Sequence, residues 1–416
     1  VSDQQVYAAL EIADHEIRLL VGEFHNTRLN ILKVEKVSCS GITGVEITDQ
    51  ESVVGSLIKA VNNASANIGA RIERVLLLIP SAGLQRYTRR IQVQVSERIT
   101  LTDVQAAIKE ALKTELPEHL ELINLVVTKF IVNGITSRRM PLNEPCTSMG
   151  VDIDLLCADR HLAYSYAEAA EKAGLEILDV SIDSFAVAKE ASLLEKSIEQ
   201  FTILIRAERQ TTTLTLFAKG KLVSSEILMS GSDALIGEIS DKVDLPLEIS
   251  ERLLHFNCRL DMETYPSTPI YLWSSEGKTH TLTEKELADI IQAPLHAWLD
   301  QIKKCCDPIL QAGQAQIVLS GEAAEIFGLD AMIKKTVGCE CELYVPETFG
   351  VRNSSLAAVV GMFYVLKDQQ LYRKNYRSGV NMEQFSNMVA NKSKEPSSED
   401  TLTRKLKGIL FETKAK

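Results

Sequence analysis

The sequence has no CxxC pair, no two histidines at metal-ligand spacing and no apolar run of bilayer length. Its eight cysteines are scattered and cluster only in KKCCD (303–307) and GCEC (338–341), which predicts reduced structural thiols in a reducing compartment. The longest apolar stretch, LAAVVGMFYVL at 356–366, falls far short of the ~20 residues a membrane span needs. The opening VSDQQVYAALEIAD has neither the basic start nor the apolar centre of a signal peptide, so a cytoplasmic protein is expected. GxSxG and HExxH are missing, which removes two hydrolase templates. SLIK at 56–59 has SxxK spacing, but it lies inside an amphipathic helical pattern and reads as part of that helix. Aromatics are only 6% of residues, and the net charge of −11 argues against nucleic acid as a partner. The basic spots at 86–90 and 137–139 read as solvated surface.

What is present is a chain of 416 residues, 45% hydrophobic and 24% charged, long enough for two or more cores. One hairpin module is written twice. Residues 7–34 read as an apolar strand, a polar turn, a second strand, a turn and a third strand. Residues 201–228 repeat that plan, with Leu19 matching Leu214 and Val21 matching Leu216. Between and after them come amphipathic helices, such as 50–69 with Val53, Val54, Leu57, Ile58 and Val61 at helical spacing, and 163–174, which stops on Gly174. Short apolar runs at 72–80 and 315–321 read as buried strands. The fold class is therefore α/β. Two such halves, each opening with a hairpin, are the plan of the two-lobed actin-like fold shared by actin and Hsp70. There the two hairpin tips face each other and their backbone N–H groups cradle nucleotide phosphates.

Within that fold the chain resembles the bacterial cell-division family FtsA. The similar segments are 40–83, 96–111, 220–253 and 348–362, and their order and spacing cover almost the whole chain. The resemblance implies a first lobe at 1–83, continued by 167–190 and 345–372, with the extra subdomain of that family at 84–166. It implies a second-lobe core at 200–230 and 310–344, and a small subdomain at 231–309 where the family docks the tubulin-like protein FtsZ. A flexible linker at 373–398 and a membrane-targeting helix at 399–416 complete the plan. The implied partners are FtsZ, other copies of the chain in a filament, an anionic membrane surface, and other division proteins through 84–166. The implied place is the cytoplasmic face of the membrane at the division site.

The hairpin tips depart from the family pattern. Where the family has roughly DIGTS, this chain has Glu11, Ile12, Ala13, Asp14 and His15. Where the family has roughly DIGGGTTD, it has Arg206, Ala207, Glu208, Arg209, Gln210 and three threonines. The adenosine turn keeps one glycine, Gly321, followed by Glu322. A cradle of N–H groups needs turn conformations that glycine adopts freely. Asp14, Glu16 and Glu208 add like charge where a triphosphate would lie, and the aspartates that orient magnesium are missing. No cofactor and no ATP hydrolysis are therefore expected. The alternative is ATP and magnesium in a divergent pocket, with Arg206 and Arg209 holding phosphate. Without nucleotide, Arg206 or Arg209 facing Asp14 or Glu16 would be an internal substitute.

The C-terminus carries a second signal. Leu402, Leu406, Ile409 and Leu410 fall on one helical stripe, with Arg404, Lys405 and Lys407 off it. A basic amphipathic helix on a polar tether reads as a membrane-surface anchor. Gly408 weakens the helix, and Phe411 lies roughly opposite the stripe. The expected protein is a non-enzymatic adaptor that tethers FtsZ filaments to the membrane. An active actin-like ATPase and a scaffold for another machine, such as pilus assembly, are the rivals.

Overall fold

The computed structural model describes residues 5–25, 28–275, 277–372 and 377–392. Two five-stranded sheets carry the same topology. In the first, Arg28–Ser38, Glu16–His25 and Val6–Ile12 form an antiparallel meander, and Arg74–Ile79 and Glu176–Ile182 extend it in parallel. In the second, Lys221–Leu228, Thr212–Ala218 and Phe201–Ala207 form the meander, and Ala315–Ser320 and Cys341–Leu343 extend it in parallel. The expected hairpin repeat is thus a repeat of whole sheets.

The first strand, VYAALEI, is apolar almost throughout because both its faces are covered. Val6, Ala8, Leu10 and Ile12 join a core with the helices Gln50–Ile68 and Arg160–Lys172, while Tyr7 and Ala9 face the opposite side. That opposite side is shared between the lobes. The helices Asp183–Glu190 and Ala357–Gln370 pack with Leu20, Leu76 and Leu78 of the first sheet and with Leu204, Phe217 and Val318 of the second. The apolar run at 356–366 is therefore a helix buried all round between two lobes. Among the described residues, no helix is long and apolar enough to cross a membrane.

Local signals explain the helix ends. The side chain of Asp49 accepts from the Ser52 backbone, and Gly69 closes that helix in the left-handed conformation. Capping boxes Thr100/Asp103 and Thr283/Glu286 start Leu101–Ala111 and the 29-residue Glu284–Ala312. The latter packs with Asp233–Val243, Leu247–Asn257 and Leu329–Val337 around Trp298. Inserted into the first lobe is a four-stranded sheet, ordered Gln85–Gln94, Ser148–Asp159, Leu120–Val132 and Ile135–Ser137, whose own core includes the helix Leu101–Ala111.

Two expected boundaries move. The inserted sheet ends at Asp159, not 166: Asp159 caps Arg160–Lys172, whose Leu162, Ala163 and Tyr166 pack into the first lobe. Within the segment expected to be a linker, Val380 bridges to Ile72, and Phe385 of the helix Met382–Lys392 is buried in the first-lobe core. The apolar residues Val380, Met382, Phe385 and Met388 hold that segment on the lobe, despite its polar surroundings. The rest of the linker, 373–376 and 393–398, and the helix expected at 399–416 lie outside the described residues.

The helix pair between the lobes crosses closely at Gly361, where an added Cβ would sit 1.9 Å from the Ala186 carbonyl oxygen. Backbone cannot yield as a side chain can, so Gly361→Ala should destabilise the chain by about 2–3 kcal/mol. A lowered urea midpoint at unchanged slope is the expected reading, and an unchanged midpoint would refute the crossing.

Candidate functional site

The two tips have the same local construction. In the first, the Ala13 N–H donates to the Glu16 carbonyl at 2.9 Å, and in the second the Glu208 N–H donates to the Thr211 carbonyl at 2.9 Å. Each turn therefore holds its side chains at the end of a rigid, doubly covered sheet. The turns meet face to face. One Asp14 carboxylate oxygen accepts from the Gln210 backbone at 2.8 Å, the Thr211 backbone at 3.0 Å and the Thr211 hydroxyl at 3.1 Å. A negative oxygen held by successive backbone N–H groups is the arrangement by which such turns bind anions, and here the chain supplies the anion.

Gln210 fastens the same junction. Its amide donates to the carbonyls of Asp14 at 2.6 Å and Ile42 at 3.3 Å, and accepts from the Gly44 N–H at 3.0 Å. The other Asp14 oxygen meets His15 Nδ1 at 2.8 Å, and His15 Nε2 faces the Glu322 carboxylate. Burial alone would lower the imidazole pKa, but the two carboxylates outweigh it and hold it up to about 9. His15 is therefore a cation at neutral pH, joining the first tip to the turn after Ala315–Ser320.

Behind the tips lies a buried charge network. Fully buried Arg18 grips Glu208 of the second tip with both terminal nitrogens, at 3.0 and 2.7 Å, and also donates to Glu16 at 2.6 Å and the Ser355 carbonyl at 3.0 Å. In return, Arg206 of the second lobe donates to Glu11 at 2.6 Å, to Asp183 and to Glu208 at 3.0 Å. Burial pushes the Glu208 carboxyl up, yet Arg18 and Arg206 together hold it down at about 2. Glu11 and Arg206 hold equivalent places in the two hairpins and pair with each other, whereas Arg18 reaches Glu208 from a place that Thr213 fills in the second hairpin.

Every expected cleft residue except Arg209 converges here. The partners differ from the expectation: Arg206 reaches Glu11 and Asp183, not Asp14 or Glu16. Asp14 is met by backbone, and Glu16 by Arg18 and by Lys36 at 2.8 Å. Arg209 turns into its own lobe, to Asp233 at 2.6 Å and Glu251 at 3.3 Å, because the tip points its side chain away from the junction. Sequence reasoning missed Arg18, Asp183 and Lys36. An arginine in the apolar run EIRLLVGEF, paired in register with Glu11, was the available signal. Gly321, the glycine kept in the adenosine turn, has a structural cause: at φ +101°, a Cβ there would lie 2.3 Å from the Ala207 carbonyl oxygen.

The tips leave little space between them. The cavity bounded by Glu11, Ala13, Asp14, Asp183, Arg206 and Glu208 is about 30 Å³, room for a water or two, against the several hundred that ligand sites occupy. The N–H groups that would receive phosphate already hold Asp14.

Two lobes with repeated sheet topology and facing hairpins define the actin-like ATPase fold. Solved structures agree in fold: the PilM–PilN type IV pilus biogenesis complex aligns with a TM-score of 0.57 at 14% identity over 88% of this chain and 98% of that one. MreB5 of Spiroplasma citri bound to AMPPNP aligns with a TM-score of 0.52 at 12% identity over 88% and 97%. No protein-family model matches the chain. Curated relatives are more specific. The cell division protein FtsA of Streptococcus pneumoniae is 26% identical over 372 residues, covering 86% of this chain and 79% of the relative. FtsA of Bacillus subtilis is 22% identical over 379 residues, covering 87% and 83%. Over 86–87% of its length the chain is thus similar to FtsA proteins, at 22–26% identity.

The network makes a specific demand. Removing one member of a buried, hydrogen-bonded charge set strands the others, at a cost of about 3–5 kcal/mol. Glu208→Gln should lower the folding free energy by that amount in urea denaturation. A loss below about 1 kcal/mol would mean that the charges are solvated rather than paired.

Proposed function

We propose that this chain is a cell-division scaffold of the FtsA type that works without nucleotide. It tethers FtsZ filaments to the cytoplasmic face of the membrane through the amphipathic segment 399–416 and gains avidity by self-assembly. The homology to FtsA proteins supports the division role. The observation that carries the nucleotide-independent part is Asp14, seated on the Gln210 and Thr211 N–H groups where a phosphate would sit. Actin-like proteins use a ligand to favour a closed cleft, and a ligand shifts a conformational equilibrium only through differential affinity. In this chain the second lobe binds Asp14, Glu11 and Asp183 of the first instead. The membrane reading rests on the stripe of Leu402, Leu406, Ile409 and Leu410 with basic flanks. One such helix holds weakly, and many copies held together multiply that affinity by about 10² to 10⁴.

Nucleotide independence is tested by thermal unfolding with millimolar Mg-ATP. A ligand present at 100 times its Kd adds about 2.7 kcal/mol, so any pocket of ordinary affinity would raise the melting temperature. No shift is expected; a clear shift abolished by Arg206→Ala would support an active, divergent pocket.

Anchoring is tested by co-sedimentation with anionic vesicles and FtsZ from the same source. The chain should carry FtsZ down with the vesicles, and the double change Leu406→Glu and Ile409→Glu should release both proteins, since each charge would enter the apolar boundary. Undiminished sedimentation of the double variant would contradict the anchor, and vesicle binding without FtsZ would contradict the partner.

A further inference from the structure

Just outside the tips, three side chains that play no part in holding Asp14 meet on the second lobe. Glu251 and His255 stand four residues apart on the helix Leu247–Asn257, so they share one face. Glu322 comes from the turn after Ala315–Ser320, opposite that face. One ligand atom of each lies within 4.8 Å of the other two. His255 Nε2 is fully buried and makes no hydrogen bond, which is costly for a ring nitrogen unless something is meant to meet it. Arg209 lies 3.3 Å from one Glu251 oxygen, and the carboxylate has a second oxygen to offer.

We propose that Glu251, His255 and Glu322 form a binding site for a borderline divalent cation of the zinc type. One imidazole nitrogen and two carboxylates, with a fourth position for water, match that chemistry, whereas magnesium favours all-oxygen, hydrated sites. Bonds of about 2.0–2.2 Å require the three groups to draw in slightly, which long glutamate side chains on a helix and a turn allow. The ion would bolt the helix Leu247–Asn257 of the small subdomain to the cleft wall at Glu322, the residue that His15 of the first lobe also grips. The site stands on its own geometry, whether or not the cleft ever holds nucleotide.

The test uses the full chain, stripped with a chelator and titrated calorimetrically with Zn²⁺, with Co²⁺ as a spectroscopic stand-in. One ion per chain is expected, with affinity falling roughly tenfold or more in both His255→Ala and Glu251→Gln. The Co²⁺ form should show visible bands without the near-ultraviolet band of a thiolate ligand. Metal-free melting is read alongside; Glu251→Gln keeps the test valid if His255→Ala misfolds, because the Glu251 side chain is 31% exposed. Absence of binding, unchanged affinity in the folded variants, or a thiolate band placing the ion on cysteines such as Cys305 would each overturn the site.

Discussion

The structure depends on one contact: the Asp14 carboxylate held by the backbone N–H groups of Gln210 and Thr211. It joins the tips of two sheets that share no strand. Charge-assisted hydrogen bonds to a buried carboxylate are among the stronger polar contacts a protein makes, and they are directional. With Asp14 seated, the Gln210 side chain also reaches the Ile42 carbonyl and the Gly44 N–H of the first lobe. The acidic side chain is an anion on backbone N–H groups of the kind that hold anions in such turns, and it is part of the chain itself.

The charges behind the tips follow from the same closure. Arg18, Arg206, Glu11 and Glu208 are all buried, and each finds a partner across the lobes only when the tips meet. Buried ion pairs add little net stability over apolar packing, because desolvation offsets attraction. They are unforgiving of rearrangement, however, and so they select one arrangement of the lobes over others. A second junction lies away from the tips. Lys221 of the second lobe meets Asp154 of the inserted sheet at 3.1 Å, Arg138 donates to the Lys219 carbonyl at 3.2 Å, and Ser225 bonds Ser81 at 3.0 Å. Closure is therefore braced at two separated places, and between them the apolar helices Asp183–Glu190 and Ala357–Gln370 fill the interface.

Much of this was legible in the residues. The repeated hairpin, the α/β alternation and the loss of glycine at both tips are local patterns, and the tips lie where those patterns put them. The partners were less legible, because pairing across the lobes depends on register and on the depth of each side chain. Glu11 could be placed near the cleft, but its answer to Arg206 required the strand Val6–Ile12 to lie level with Phe201–Ala207. Arg18 stands in the strand Glu16–His25 beside Ile17, Leu19 and Leu20, and its partner Glu208 lies 190 residues away in the sequence. The helix Met382–Lys392 was hidden for another reason. Its few apolar residues are diluted by polar neighbours, and only the lobe surface around Ile72 and Ile68 shows where they go.

The central claim is that the chain closes its own cleft, and the distance between the lobes in solution measures it most directly. Pulsed dipolar spectroscopy with one label at Glu51 on the first lobe and one at Lys242 on the second reads that distance and its spread. The account predicts a single narrow distribution without nucleotide, unchanged by Mg-ATP, which broadens when Asp14 is changed to Ala. A broad distribution in the unchanged tips that narrows only when Mg-ATP is added would contradict it.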